Sequence, residues 1–187
     1  MENYGFTGDW EIDLEILTDI LATIDYKTPT SRMEKFNIPK KIGGSILYGW
    51  TWRGYMSPTK NREYDEEKKR YKTTIMTQRP ELWGIFCEFR DWWFPDFKFT
   101  GVQLNKNYRI LPHRDGANIG TSYLVSMGDY KGGGKVIVDR GFKMDMYDAR
   151  KAPICFNGSK FYHWTENWAE GDRYSIVFFN DEKEKDP

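Results

Sequence analysis

Pro112-His113-Arg114-Asp115 is the stretch from which this chain can be read. The sequence holds only 2 His in 187 residues. One is His113, two positions ahead of Asp115, and the other is His163, far along the chain. Beyond His163 comes Arg173-Tyr174-Ser175, which opens the apolar run Ile176-Val177-Phe178-Phe179. A His-x-Asp pair, a distant His and an Arg-x-Ser at the start of a strand follow one another in that order.

Successive side chains on an extended backbone alternate faces, so residues two apart point the same way. His113 and Asp115 can therefore offer an imidazole nitrogen and a carboxylate oxygen to one cation, with His163 as third ligand from another strand. Two His and one carboxylate with vacant positions form the facial arrangement of non-haem Fe(II) sites. Zinc takes the same ligand types, so the ligands alone do not choose the metal. Arg173 and Ser175 favour iron: they share a strand face, and a guanidinium fork beside a hydroxyl suits a carboxylate held bidentately. Each part alone has a plainer reading. A single His-x-Asp is common by chance, and an edge-strand Arg is usually just solvated. The order of the parts, and the use of both histidines in one pattern, select the metal reading.

The pattern resembles the Fe(II)/2-oxoglutarate-dependent dioxygenases. Four stretches resemble their Tet/JBP branch: Val102-Gln103-Leu104-Asn105-Lys106-Asn107-Tyr108, the His-x-Asp, Gly128-Asp129-Tyr130-Lys131-Gly132-Gly133, and His163-Trp164 through Arg173-Tyr174-Ser175. Small stand-alone members of that branch occur in phages, large viruses and algae. The likeness covers residues 99–180. It implies an α+β, mainly β fold: a double-stranded β-helix (jelly roll) core with N-terminal helices packed on one side of the sheet. It implies Fe(II) held by His113, Asp115 and His163, with O2 and 2-oxoglutarate as cosubstrates. The far carboxylate of 2-oxoglutarate would lie on Arg173 and Ser175, and Asn105 and Tyr108 would be further cosubstrate contacts, although turn-making explains an Asn here equally well. The implied reaction is hydroxylation of the 5-methyl group of a pyrimidine in DNA, 5-methylcytosine or thymine. Two alternatives stand beside it: a hydroxylase of a protein side chain or small molecule, and a non-catalytic jelly-roll binding domain.

The rest of the chain fits one domain over residues 1–187. A helical and strand extension (1–98) precedes the core (99–180) and a charged tail (181–187). Formal net charge is +0 with 30% charged residues, which predicts a soluble monomer with no global basic field toward polyanions. Cys87 and Cys155 form no Cys-x-x-Cys motif and read as reduced core thiols in the cytoplasm, or the nucleus of a eukaryotic host. No leader or membrane-spanning run is expected.

Asp9 to Ile24 has apolar residues at helical spacing with Glu11, Asp13 and Glu15 near its start, a helix expected on the outside of the sheet. Thr28 to Lys41 reads as loop. Ile46 to Tyr55 reads as a strand with Ile46, Tyr48, Trp50 and Trp52 on one parity. Those aromatics, with Arg53, Tyr55 and the polar Lys60-Asn61-Arg62, either grip a single strand or flipped base or are simply the buried face of the strand. Glu63 to Lys72 mixes charges and reads as a solvated helix or mobile loop. Pro80 to Phe94 reads as a second helix. Strands follow at Phe99 to Leu104, Ser122 to Met127, Lys135 to Val138, Ile154 to Phe156 and Phe161 to Trp164, with a positive-φ turn at Gly132-Gly133-Gly134. Gly116-Ala117-Asn118 follows Asp115 and shapes the mouth, which makes Asn118 a candidate substrate contact with Trp50, Trp52 and Arg53. The tail from Asp181 reads as frayed.

Overall fold

A computed structural model describes residues 3–26, 43–51 and 63–181. Trp52, Arg53, Tyr55, the run 60–62 and the expected 28–41 loop lie outside the described residues.

The first helix, α1 (Trp10–Ala22), begins where Asp9 caps the free N–H groups of Glu11 and Ile12. It buries Leu17 and Leu21 completely. A short helix, α2 (Thr74–Gln78), leads into α3 (Glu81–Trp93). Leu82, Ile85, Phe86 and Phe89 form the inward stripe of α3 at spacings of three and four.

The strands are β1 (Gly44–Thr51), β2 (Tyr64–Asp65), β3 (Arg70–Lys72), β4 (Gly101–Lys106), β5 (Ser122–Met127), β6 (Val136–Asp139), β7 (Met144–Tyr147), β8 (Ile154–Phe156), β9 (Tyr162–Thr165) and β10 (Tyr174–Phe179). They form a seven-stranded sheet in the order β2-β3-β1-β4-β10-β5-β8 and a three-stranded sheet in the order β7-β6-β9. The strand pairs are antiparallel. The mainly β jelly roll is thus the observed architecture, with α1 and α3 packed on one side of the large sheet.

Alternation along the central strands makes two different layers. Val102 and Leu104, Val125 and Met127, and Tyr174, Ile176 and Phe178 face the helices and join one aromatic-rich core. Within it the Phe178 ring lies 5.1 Å from Phe94 and Phe99 and 6.1 Å from Phe86. Leu124 and Val177 face the other way, into a second cluster with Val136, Val138, Ile154 and Phe156. Polar residues share that inner layer. Gln103 donates to Ser45 Oγ (2.8 Å), Ser45 to Asn105 Oδ1 (2.6 Å), and Asn105 to Ser175 Oγ (3.2 Å).

Several expectations need correction. Glu63 to Lys72 is neither helix nor loose loop: β2 and β3 pair there, with Lys69 at φ 52 in the turn and the Tyr64 and Tyr71 rings 4.9 Å apart. Cys155 is an exposed thiol rather than a core one, because it alternates outward between buried Ile154 and Phe156 on β8; Cys87 is half-buried. Asp181 is not frayed, since it pairs with buried Arg70 and accepts from Thr100 Oγ1 at 2.6 Å. Among the described residues no helix is long and apolar enough to cross a membrane.

Phe178 joins strand layer to helix layer. Phe178→Ala is expected to lower the unfolding free energy by about 3–5 kcal/mol, read as a lower urea midpoint. A loss under about 1 kcal/mol would show that these rings do not hold the layers together.

Candidate metal centre

The small sheet is extended by the chain segment around His113. His113 N–H donates to the His163 carbonyl at 3.1 Å, and His163 N–H returns a bond to the His113 carbonyl at 3.0 Å. Residues that exchange both bonds in this way present their side chains on the same face. The two imidazole rings accordingly lie 4.2 Å apart. Asp115, two residues on, points to the same side and is tied by its N–H to the Gly158 carbonyl (2.9 Å). Asp115 Oδ1 lies 3.3 Å from His113 Nε2, and its Oδ2 3.5 Å from His163 Nε2. The ligand atoms of the three residues all lie within 4.8 Å of one another.

Both imidazoles are oriented by the same local device. His113 Nδ1 is 2.8 Å from the Leu111 carbonyl, and His163 Nδ1 is 3.1 Å from the Phe161 carbonyl. A carbonyl only accepts, so each Nδ1 carries the proton and each Nε2 turns a lone pair toward Asp115. Burial, and then nearby His113, hold the His163 imidazole below its ordinary pKa, which favours the neutral form a metal requires. Adjacent cis donors about 2.1 Å from a metal lie about 3 Å apart, close to the two separations found here. The donor set fits a divalent transition metal with further positions open.

Asn118 does not stand free as a substrate contact. Its amide donates to Asp115 Oδ2 (3.1 Å) and to Ser122 Oγ (3.3 Å), and so orients the carboxylate. Gly158 packs against the same carboxylate: an added Cβ would lie 2.6 Å from Asp115 Oδ2 and 3.4 Å from His163 Cε1. The Asn157-Gly158 pair is legible in sequence only as a turn signal.

Arg173 enters the inner layer just ahead of β10 and is 2% exposed. Its Nε donates to the Gly134 carbonyl at 3.1 Å, while Nη2 is buried without a hydrogen-bond partner. Its guanidinium lies over the rings of Tyr130 (5.4 Å) and Trp168 (5.8 Å), and Trp168 Nε1 is also buried and unpaired. Burial pushes the Arg173 pKa below its usual value. No carboxylate among the described residues pairs with it, and an unpaired buried cation is costly. An anionic ligand would relieve that cost. Ser175 and Asn105 join the polar chain of the inner layer, and Tyr108 is buried beside them in sequence at 6% exposure. Tyr130 and Trp168 carry no sequence signal for this position, since aromatics in loops have no periodicity.

Trp50 belongs to the helix layer. Its ring packs edge-on to Trp83 at 4.5 Å, and its Nε1 donates to Asp65 Oδ2 at 3.1 Å. Of the two readings of that aromatic face, packing describes Trp50.

No family model matches the chain, and no curated protein matches it either. Solved structures do. An oxidoreductase of the 2OG-Fe(II) oxygenase family from Burkholderia pseudomallei superposes with a TM-score of 0.53 at 15% identity, covering 96% of this chain and 92% of that one. That likeness concerns the fold. NgTET1 in complex with 5mC DNA gives a TM-score of 0.49 at 17% identity, over 82% of this chain and 69% of that one. A Pseudomonas putida prolyl-4-hydroxylase gives 0.48 at 9% identity, over 97% and 91%.

Gly158→Ala should displace the Asp115 carboxylate while leaving the strands intact. The expected result is a loss of about 10- to 100-fold in affinity for Fe(II) or Mn(II) by calorimetric titration, with little change in melting temperature. Unchanged affinity would mean that Asp115 is not a ligand.

Proposed function

We propose that this chain is an Fe(II)- and 2-oxoglutarate-dependent dioxygenase that hydroxylates the 5-methyl group of a pyrimidine in DNA. One observation carries the oxygenase reading: two Nε2 atoms and a carboxylate converge on one point, while the same inner layer buries an Arg173 guanidinium with an unpaired nitrogen. A metal ion alone explains the first half and a bound dicarboxylate the second; 2-oxoglutarate, with a chelating keto-acid end and a far carboxylate, links them.

The residues then have separate tasks. His113, His163 and Asp115 hold the metal, with proton positions fixed by the Leu111 and Phe161 carbonyls. Asn118 orients the Asp115 carboxylate. Arg173 receives the far carboxylate of 2-oxoglutarate in a charge-assisted pair, and Tyr130 and Trp168 limit access of water to it. Ser175, held by Asn105, supplies a hydroxyl beside that pair. Iron bound here would activate O2, one atom entering the methyl C–H bond and the other the succinate left when 2-oxoglutarate loses carbon dioxide. The DNA substrate is supported by the Tet/JBP-like motifs on either side of the ligands.

Incubation of 5-methylcytosine and thymine DNA with the protein, Fe(II), ascorbate and 2-oxoglutarate is expected to yield nucleosides heavier by one oxygen atom, with matching succinate. His113→Ala and Asp115→Ala should abolish both. Arg173→Ala should raise the 2-oxoglutarate concentration needed for half-maximal turnover by about 10- to 100-fold. Succinate without a heavier nucleoside would redirect the substrate to a protein side chain or small molecule, and no succinate at all would leave a binding domain.

A further inference from the structure

The strands that carry the ligands inward carry a different set of residues outward. Register places Tyr162 of β9 and Met144 of β7 on either side of Asp139, and Trp164 and Met146 on either side of Ile137. This outer face holds three large exposed apolar side chains together: Met144 is 68% exposed, Met146 55% and Tyr162 48%. At its end the β6–β7 turn, Arg140-Gly141-Phe142-Lys143, projects Phe142, which is 88% exposed. Apolar exposure this concentrated marks an interaction surface.

The position of the turn gives it meaning. Arg140 stacks on Phe161 at 5.0 Å, and Phe161 belongs to the turn whose Gly158 carbonyl holds the Asp115 N–H. The tip of the hairpin is therefore at the metal end of the barrel. Cations gather there. Arg114, exposed between the two ligands His113 and Asp115, lies 5.0 Å over the Tyr162 ring, and Lys160 lies 5.4 Å from the Phe161 ring. Neither Arg114 nor Lys160 has a carboxylate partner among the described residues. Arg140 and Lys143 share the carboxylate of Asp145, each at 2.6 Å, and with Asp139 beside them these four groups balance, so the excess charge here is that of Arg114 and Lys160. Asp139 turns one oxygen to the Gly141 N–H.

We propose that this rim is the surface on which a DNA strand lies while one of its bases enters the metal centre. Phe142 stacks on a neighbouring base, and Arg114 and Lys160 meet the flanking phosphates. The assignment rests on the reading of the centre as a DNA oxygenase and supplies the strand-holding residues that Trp50, packed into the helix layer, does not. A second copy of the chain fits less well, because a two-fold contact would bring Arg114 and Lys160 toward their own equivalents.

Fluorescence anisotropy with a short labelled oligonucleotide containing 5-methylcytosine, single-stranded and duplex, tests this. Phe142→Ala should weaken binding about 5- to 100-fold, and Phe142→Trp should restore it. The Arg114→Ala/Lys160→Ala double variant should weaken binding and flatten the slope of log affinity against log salt by about 1.4 for the single strand. Lys98→Ala/Lys131→Ala, which removes equal charge elsewhere, should keep the wild-type slope. If wild type binds and the rim variants bind equally well with wild-type melting temperatures, the surface is wrong while the oxygenase reading stands. If wild type binds neither form even at low salt, the surface fails, and the DNA substrate with it. A faulty oxygenase reading shows separately, as absent succinate formation.

Discussion

The site depends on a pair of backbone hydrogen bonds, exchanged between His113 and His163 at 3.1 and 3.0 Å. These residues belong to segments that are distant in sequence, and the same two segments are joined on either side of the pair by Asp115 N–H to the Gly158 carbonyl and Thr165 N–H to the Ile110 carbonyl. A hydrogen-bonded antiparallel pair fixes three things together: the distance between the strands, the shared face of the two side chains and their position along the strand. From that bridge Asp115 follows by alternation, since it lies two residues beyond His113. The Nδ1 bonds to Leu111 and Phe161 then follow as well, because both histidines use the carbonyl two residues back on an extended chain. The ligand set is a consequence of strand register more than of side-chain packing.

The second pole of the inner layer has another origin. Gly132, Gly133 and Gly134 all have positive φ, and the turn they make presents the Gly134 carbonyl to Arg173 Nε. A side chain at Gly134 would collide with the Tyr130 ring. Two guanidinium groups lie against the Tyr130 ring, Arg150 at 4.1 Å and Arg173 at 5.4 Å, while its hydroxyl shares a 2.8 Å bond with Ser126. The aromatic ring gives Arg173 a face to lie against without neutralising it, which a carboxylate in that place would do. The charge stays available for a ligand.

What the sequence shows of this depends on the kind of signal. Ser122–Met127 and Ile154–Phe156 are apolar runs and are observed as read. The α3 stripe at three and four is equally plain. The β2–β3 pair was hidden because charged residues fill its turn, and the strands are too short for alternation to show. β7 was hidden for a different reason: its methionines face solvent while Asp145 points to Arg140 and Lys143, so polarity runs opposite to the usual rule. Asp13 misleads most. In sequence it is one of three acids suited to a helix start, yet it is fully buried and accepts from Thr7, Gly8 and Trp93 Nε1. Its role depends on contacts brought together by folding, and local pattern carries no trace of them. The convergence of His113 and Asp115 was legible because spacing of two on a strand is a local property; the surroundings of Arg173 were not, because loops assemble them.

The same alternation bears on the outer surface. His113 and Asp115 face inward and Arg114 outward; His163 faces inward and Tyr162 and Trp164 outward; Val138 faces inward and Ile137 and Asp139 outward. Inner chemistry and outer surface are therefore set by one register, and a slip of one residue in β9 would bury Tyr162 and turn His163 to solvent. A formal charge of +0 for the whole chain is consistent with a basic surface at this end, because net charge sums over faces that alternation keeps apart. Arg114 takes its place from its neighbours: with His113 and Asp115 both turned toward the cluster they form with His163, the residue between them emerges on the outer face.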